Sequence, residues 1–439
     1  MRAHGAAFLE AAAPCHKVQS TLRLLAACRT RALGGQVTRC QACGQVEYRY
    51  HSCGDRHCPA CGGLKRARWL ERRRAEQLPV PYFHLVFTLP HELSALVLGN
   101  RKLLYDLLLS TSWQTLAELG ADSKHLGARL GSIAVLHTWG QQLEHHPHVH
   151  MIVPGGGPSL DGTRWIASRP NFLLPVKVLG KLFRGKFLAE LRQANVAGQL
   201  AYAGSTAALV NPRDFNALLS RLYAKDWVVY AKEPFRNPDT MFKYLTRYTH
   251  RVALSNDRLS DYDGERVTLN YKDYADGCRR KELRLSATEL LRRFCLHIVP
   301  KGLVRIRHYG ILTNRDHGQR LAKCRELLAS TRPCTTPSTT RLSVPASPST
   351  PELPSRDTTP VSLQRPTSPP QGKAASISPD RHAPTTAAIA DTPAPALGPT
   401  LTPLPEPCPR CGGVAFERLW FGQRPRGRDW QQIQPWNTS

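Results

Sequence analysis

The sequence predicts an α+β fold: a small cysteine-rich metal module, then a body of antiparallel strands with flanking helices, then a tail without a core. Three observations carry this. CxxC pairs crowd the first sixty or so residues, a stretch too small to fold on apolar burial alone. Short alternating strands, one of them studded with histidine, are separated by leucine-rich runs at helical spacing. From residue 330 to about 407 the chain turns to Pro, Ser, Thr and Ala with almost no large apolar side chains, which predicts a disordered linker.

The charge balance narrows the function class. Among 439 residues, 60 Lys and Arg face 33 Asp and Glu, a net charge of +27. A polyanion is the natural partner, and nucleic acid leads because a basic surface gains affinity by displacing phosphate counterions. No apolar run is long enough to span a membrane and no signal-peptide core stands at the start, which together place the chain in the cytoplasm. Thirteen cysteines in that compartment point to metal or free thiols before disulfides.

Residues 1–75 form the expected zinc-binding, DNA-contact module. Cys40-x2-Cys43 is followed after fourteen residues by Cys58-x2-Cys61, which predicts one Zn2+ held by these four thiolates; unpaired thiols or a redox CxxC are the alternatives. Cys28, Cys53, His57 and His16 offer an irregularly spaced second set. Residues 64–77 follow as a basic helix. Lys65 and Arg66 there could touch DNA phosphates or simply form a solvated face, and the equally basic neighbouring module favours phosphate.

The body, residues 80–325, opens with a strand at 82–89 and an apolar helix at 92–119, then strands at 132–139 and 147–154. His148 and His150, two apart on the last strand, share one face and make a metal-binding pair; a histidine-rich turn entering a strand is the plainer reading. Gly155-Gly156-Gly157 is expected to be a flexible exit. Helices follow at 179–199 and 215–223, with a strand at 227–231. In the stretch 238–258, Tyr244 and Tyr248 sit four apart and share a helical face, so their hydroxyls can serve one site. Core packing is the usual fate of such a pair, but Lys243, Arg247, His250 and Arg251 surround them. Strands at 252–255, 266–271 and 281–286, a helix at 287–296 and a basic strand at 303–309 complete the body. The tail, 408–439, holds a solitary CxxC, Cys408 and Cys411, that would need Cys324 or Cys334 as a partner.

The combined motifs resemble the two-tyrosine rolling-circle transposases of the bacterial IS91 insertion-sequence group, in the HUH nuclease superfamily. The matching text is Cys28-Arg29-Thr30, Leu33-Gly34-Gly35, His57-Cys58-Pro59-x-Cys61, His137-Thr138-Trp139-Gly140-Gln141, His146-Pro147-His148-Val149-His150, and Tyr244-Leu245-x-Arg247-Tyr248-Thr249-His250-Arg251-Val252-Ala253. It spans about residues 15 to 330. Gln36 departs from the histidine that relatives commonly carry there.

The resemblance implies an HUH endonuclease core with a central antiparallel sheet and a tyrosine helix lying over the histidine pair. It implies Tyr244 and Tyr248 as nucleophiles on single-stranded or hairpin DNA at element ends and on target DNA, through a 5′-phosphotyrosine link. Mg2+ or Mn2+ would be held by His148, His150 and an oxygen ligand. Gln141 aligns with the family's polar ligand, with His146 as the fallback. Arg247 and Arg251 join Lys65 and Arg66 as DNA contacts, and no small-molecule cofactor is required. A replication initiator or relaxase would share these residues, and a decayed, non-catalytic zinc-dependent DNA-binding protein is the reading from another class.

Overall fold

The chain begins with helices Gly5–Ala12 (α1) and His16–Ala26 (α2) and a hairpin of strands Gly35–Cys40 (β1) and Val46–Tyr50 (β2). On α2, Val18, Leu22 and Leu25 fall on one stripe and are buried. Helix Gly63–Ala75 (α3) is the expected basic one, with Trp69 and Leu70 turned toward the body. The computed structural model describes residues 1–61, 63–235, 241, 253–330 and 407–421. The linker expected at 330–407 lies almost wholly outside those residues.

Strand Tyr82–Thr88 (β3) leads through helices Ser94–Gly99 (α4) and Arg101–Ala121 (α5) to Gly131–Trp139 (β4) and His145–Pro154 (β5). The glycines expected to be a flexible exit instead form a short strand, Gly156–Pro158 (β6), paired with Trp165–Ala167 (β7). The reason is close approach: a side chain on Gly157 would meet the Arg129 carbonyl at 2.1 Å, and Gly156 has φ +135°. Helices Val176–Val196 (α6) and Pro212–Ala224 (α7) follow; Asn211 caps α7 by accepting from the Arg213 N–H, with Pro at the first turn. Next come Val229–Phe235 (β8), a meander of Leu259–Tyr262 (β9), Arg266–Asp273 (β10) and Arg279–Ser286 (β11), helix Ala287–Leu296 (α8), strand Ile306–Gly310 (β12) and helix His317–Ser330 (α9). Of the strand expected at 252–255, residues 253–255 are not strand, and Ala253 has φ 56°. Past the linker, Phe416–Phe421 (β13) pairs antiparallel with β1.

The central sheet runs β12-β4-β5-β3-β8, every neighbour antiparallel. Its two faces are unlike. Phe83, Leu85, Phe87, Ala134, Leu136, Val149, Met151 and Val153 point into the main core with α5 and α6. The opposite parity carries His84, His137, His148, His150, Ile133, Val135 and Ile152, with α9 burying Leu321, Cys324 and Leu327 over part of that face.

The metal module and the body share a core. Phe8, Val18, Leu22, Cys28, Cys53 and Cys58 cluster with Val267, Leu269, Leu285, Leu290 and Phe294 of the meander and α8.

Candidate functional site

Strand pairing assembles a histidine centre on the second face of the sheet. His137 lies opposite His148, and Val135 opposite His150, so antiparallel register places three imidazoles on one side. Ring centroids are 4.2 Å (His137 to His150), 4.9 Å (His148 to His150) and 5.3 Å (His137 to His148) apart. One ring nitrogen from each lies within 4.8 Å of the others, close enough for a single cation to draw them together.

Neighbours set the tautomers. His148 Nδ1–H donates to the His146 carbonyl at 2.7 Å, leaving Nε2 with its lone pair. His150 Nδ1 meets His84 Nε2 at 2.8 Å, and the two rings are nearly parallel, with an interplanar angle of 5°. That contact fixes the His150 ring where it stands beside His137 and His148. Burial, then the neighbouring His146, pushes His148 down to about 3, and burial with the surrounding rings lowers His150 well below the usual imidazole value. Neutral rings are what a cation requires.

Three further histidines are held neutral outside the centre. Burial brings His145, bonded to the Tyr105 hydroxyl at 2.9 Å, down to about 3. Burial likewise brings His297, which donates to the Leu143 carbonyl, and His308, beside Arg73, to about 4. Unfolded, each takes up a proton below about 6.5, whereas the fold refuses it. Their stability contribution is therefore complete above about pH 6.5 and is lost as pH falls toward 4 and 3. The melting temperature of the metal-free protein should drop steadily from pH 7 to pH 4; equal values at pH 7 and pH 5 would contradict this.

The structure does not bring Gln141, the expected third ligand, to the centre. It sits half-buried past the end of β4 in a hairpin turn, where its side chain bonds the Tyr274 hydroxyl at 3.5 Å and the Lys272 N–H at 3.3 Å. His137, eleven residues before His148, is the side chain that lies beside the pair, because register rather than separation along the chain decides what faces it. The signal was the histidine at the end of the preceding strand. His146, the fallback, contributes its carbonyl to His148 and stays outside the cluster.

Tyr244, Tyr248, Arg247 and Arg251 lie outside the described residues. Met241, three positions before Tyr244, is fully buried and lines one small cavity with Tyr82, Ile133 and Ile152, on the histidine face. Lys65 and Arg66 fall in α3, where Arg66 is half-buried; the side chain of Lys65 lies outside the described atoms.

The four cysteines expected to share one ion are divided between two groups. Cys58 and Cys61 join Cys28 and Cys53, while Cys40 and Cys43 join Cys408 and Cys411. The carboxyl-terminal CxxC is thus not solitary, and its partners are neither Cys324 nor Cys334. Nearest spacing misled because hairpin β1–β2 carries the first knuckle away from the second. In the first group, Sγ atoms of Cys28 and Cys61 are 3.3 Å apart, and those of Cys53 and Cys61, and of Cys28 and Cys58, 3.6 Å. A Zn2+ with 2.3 Å bonds to sulfur separates its ligands by about 3.8 Å, so the donor set fits.

Burial opposes the Cys61 thiolate, but the thiols around it and the Gly54 N–H outweigh that and bring it to about 7, while burial pushes Cys58 up to about 12. Four thiolates need a cation to coexist. His57 is not a ligand: its Nδ1–H donates to Asp55 Oδ1 at 2.8 Å, and its Nε2 accepts from the Val299 N–H at 3.3 Å, tying module to body. His16 lies outside both groups, on a polar groove along α2.

Comparison with known proteins finds two families and two curated relatives. The family described as “Transposase zinc-binding domain” matches residues 1–89, and that described as “Putative transposase” matches residues 131–320. “Putative transposase y4qJ” of Sinorhizobium fredii is 50% identical over 306 residues, 70% of this chain and 77% of the relative. “Transposase for insertion sequence element IS801” of Pseudomonas savastanoi pv. phaseolicola is 30% identical over 329 residues, 73% of this chain and 76% of the relative. No solved structure matches the chain. Among the described residues no helix is long and apolar enough to cross a membrane. With its cysteine clusters, its histidine-faced antiparallel sheet and these two domains, the chain belongs to the IS91 family of insertion-sequence transposases, zinc-binding enzymes that process DNA.

Proposed function

We propose that this transposase nicks and rejoins single-stranded DNA by rolling-circle chemistry, with Tyr244 and Tyr248 as nucleophiles and an HUH-type centre of His137, His148 and His150 as the holder of Mg2+ or Mn2+. The observation that carries the reading is the shared face. The three imidazoles and Met241, from which the tyrosine segment continues, lie on the same side of the sheet. A phenol with a pKa near 10 is a weak nucleophile and needs an activated phosphate. A bound divalent ion supplies charge neutralisation at the non-bridging oxygens. Of the two ions, Mn2+ would tolerate the imidazoles of His137, His148 and His150 better.

One phenolic oxygen attacks phosphorus; the bond from phosphorus to the 3′ oxygen breaks, and that oxygen leaves as a hydroxyl after gaining a proton. The 5′-phosphotyrosine link retains the bond energy, so reversal rejoins the strand without ATP. The other tyrosine can open a second strand while the first stays bound. Lys65, Arg66, Arg247 and Arg251 contact phosphates, in keeping with the +27 charge, and hairpin or single-stranded ends expose the bases for stacking.

The test is covalent capture of labelled single-stranded oligonucleotides carrying an element end, in Mn2+. The unmutated chain should form an adduct that survives denaturation, and Tyr244→Phe with Tyr248→Phe together should abolish it. Salt-sensitive binding without any adduct from the unmutated chain would overturn the reading and leave a DNA-binding protein.

A further inference from the structure

We propose that a second structural zinc ion, held by Cys40, Cys43, Cys408 and Cys411, clips the carboxyl-terminal segment onto the amino-terminal ribbon. The two CxxC pairs fold as the same knuckle. Cys40 N–H donates to the Gln45 carbonyl at 2.9 Å and Gly44 N–H to the Cys40 carbonyl at 2.9 Å. Cys408 N–H donates to the Gly413 carbonyl at 2.9 Å and Gly412 N–H to the Cys408 carbonyl at 2.8 Å. Gly44 and Gly412, each directly after its second cysteine, have φ +72° and +71°, a conformation that favours glycine. Two matched turns, one from each end of the chain, therefore point their thiols at one another.

The sulfurs are spaced for metal. Cys40 and Cys411 are 3.6 Å apart, as are Cys43 and Cys408, near the about 3.8 Å edge of a tetrahedral zinc–thiolate site. The fit is tight: a side chain on Gly413 would lie 3.4 Å from Cys40 Sγ and 3.3 Å from Cys411 Sγ. Beside the knuckles, β13 pairs with β1 from Gly35↔Phe421 to Cys40↔Phe416, making β1 the middle of three strands. A six-residue strand supplied across such a long connection is weakly held by its own ladder, because the closure entropy of the intervening chain opposes it. Metal supplies the missing free energy. This proposal does not rest on the nuclease reading, since no residue of the histidine centre enters it.

Native mass spectrometry of the full chain should find two zinc ions. Cys408→Ser with Cys411→Ser should leave one, and amide exchange across Gly35–Cys40 should quicken at least tenfold while β4 and β5 stay protected. Cys411→His, which can still ligate, should retain both ions. One ion in the unmutated chain, two disulfides in place of metal, or unchanged exchange in β1 after the double substitution would each overturn the proposal.

Discussion

His150→Ala is expected to abolish Mn2+-dependent nicking, a fall of roughly a thousandfold or more, because losing one of three ligands forfeits several kcal/mol of charge stabilisation. His137→Ala should do the same, although only register, not its distance along the chain, brings it to the site. Gln141→Ala is the counter-test. Its side chain bonds Tyr274 and Lys272 in a hairpin turn past the end of β4, so the rate should stay within about twofold, as for a change away from the reacting groups. His84→Phe fills the same buried space but removes the contact to His150 Nδ1; metal affinity should fall by about 10 to 100-fold and excess Mn2+ should restore nicking. Nicking rates across a Mn2+ titration separate these cases. A dead Gln141→Ala beside an active His137→Ala would discard the three-histidine centre.

Cys58→Ser should have the largest effect on folding. Structural zinc contributes about 10 to 16 kcal/mol in small metal modules, as much as the whole stability of a typical domain. Cys28, Cys53 and Cys58 sit in a cluster with Leu22, Leu269, Leu285 and Phe294, so loss of the ion should loosen α1, α2, the β9–β11 meander and α8 together. The five-stranded sheet has its own core and should remain protected. Cys278→Ser, outside both clusters, serves as the control and should change nothing. Hydrogen exchange reads this directly: fast exchange confined to residues 1–61 would show that module and meander do not fold as one unit.

The sequence by itself determined the α+β class, the histidine-bearing strand, the cysteine knuckles and the charge that calls for DNA, because each is a local pattern. Alternation marks a strand, CxxC marks a turn that presents two thiols, and the fate of His148 and His150 follows from a two-residue period. Only the tertiary structure decided which groups meet. Cys43 meets Cys408 across 365 positions, and His137 rather than Gln141 lies beside His148 and His150, because partners in space are set by antiparallel pairing and by which face of a shared core each element buries. A strand's own residues specify which side chains alternate; they do not specify the strand laid beside it, and the histidine cluster and the cluster of Cys40, Cys43, Cys408 and Cys411 both depend on that neighbour.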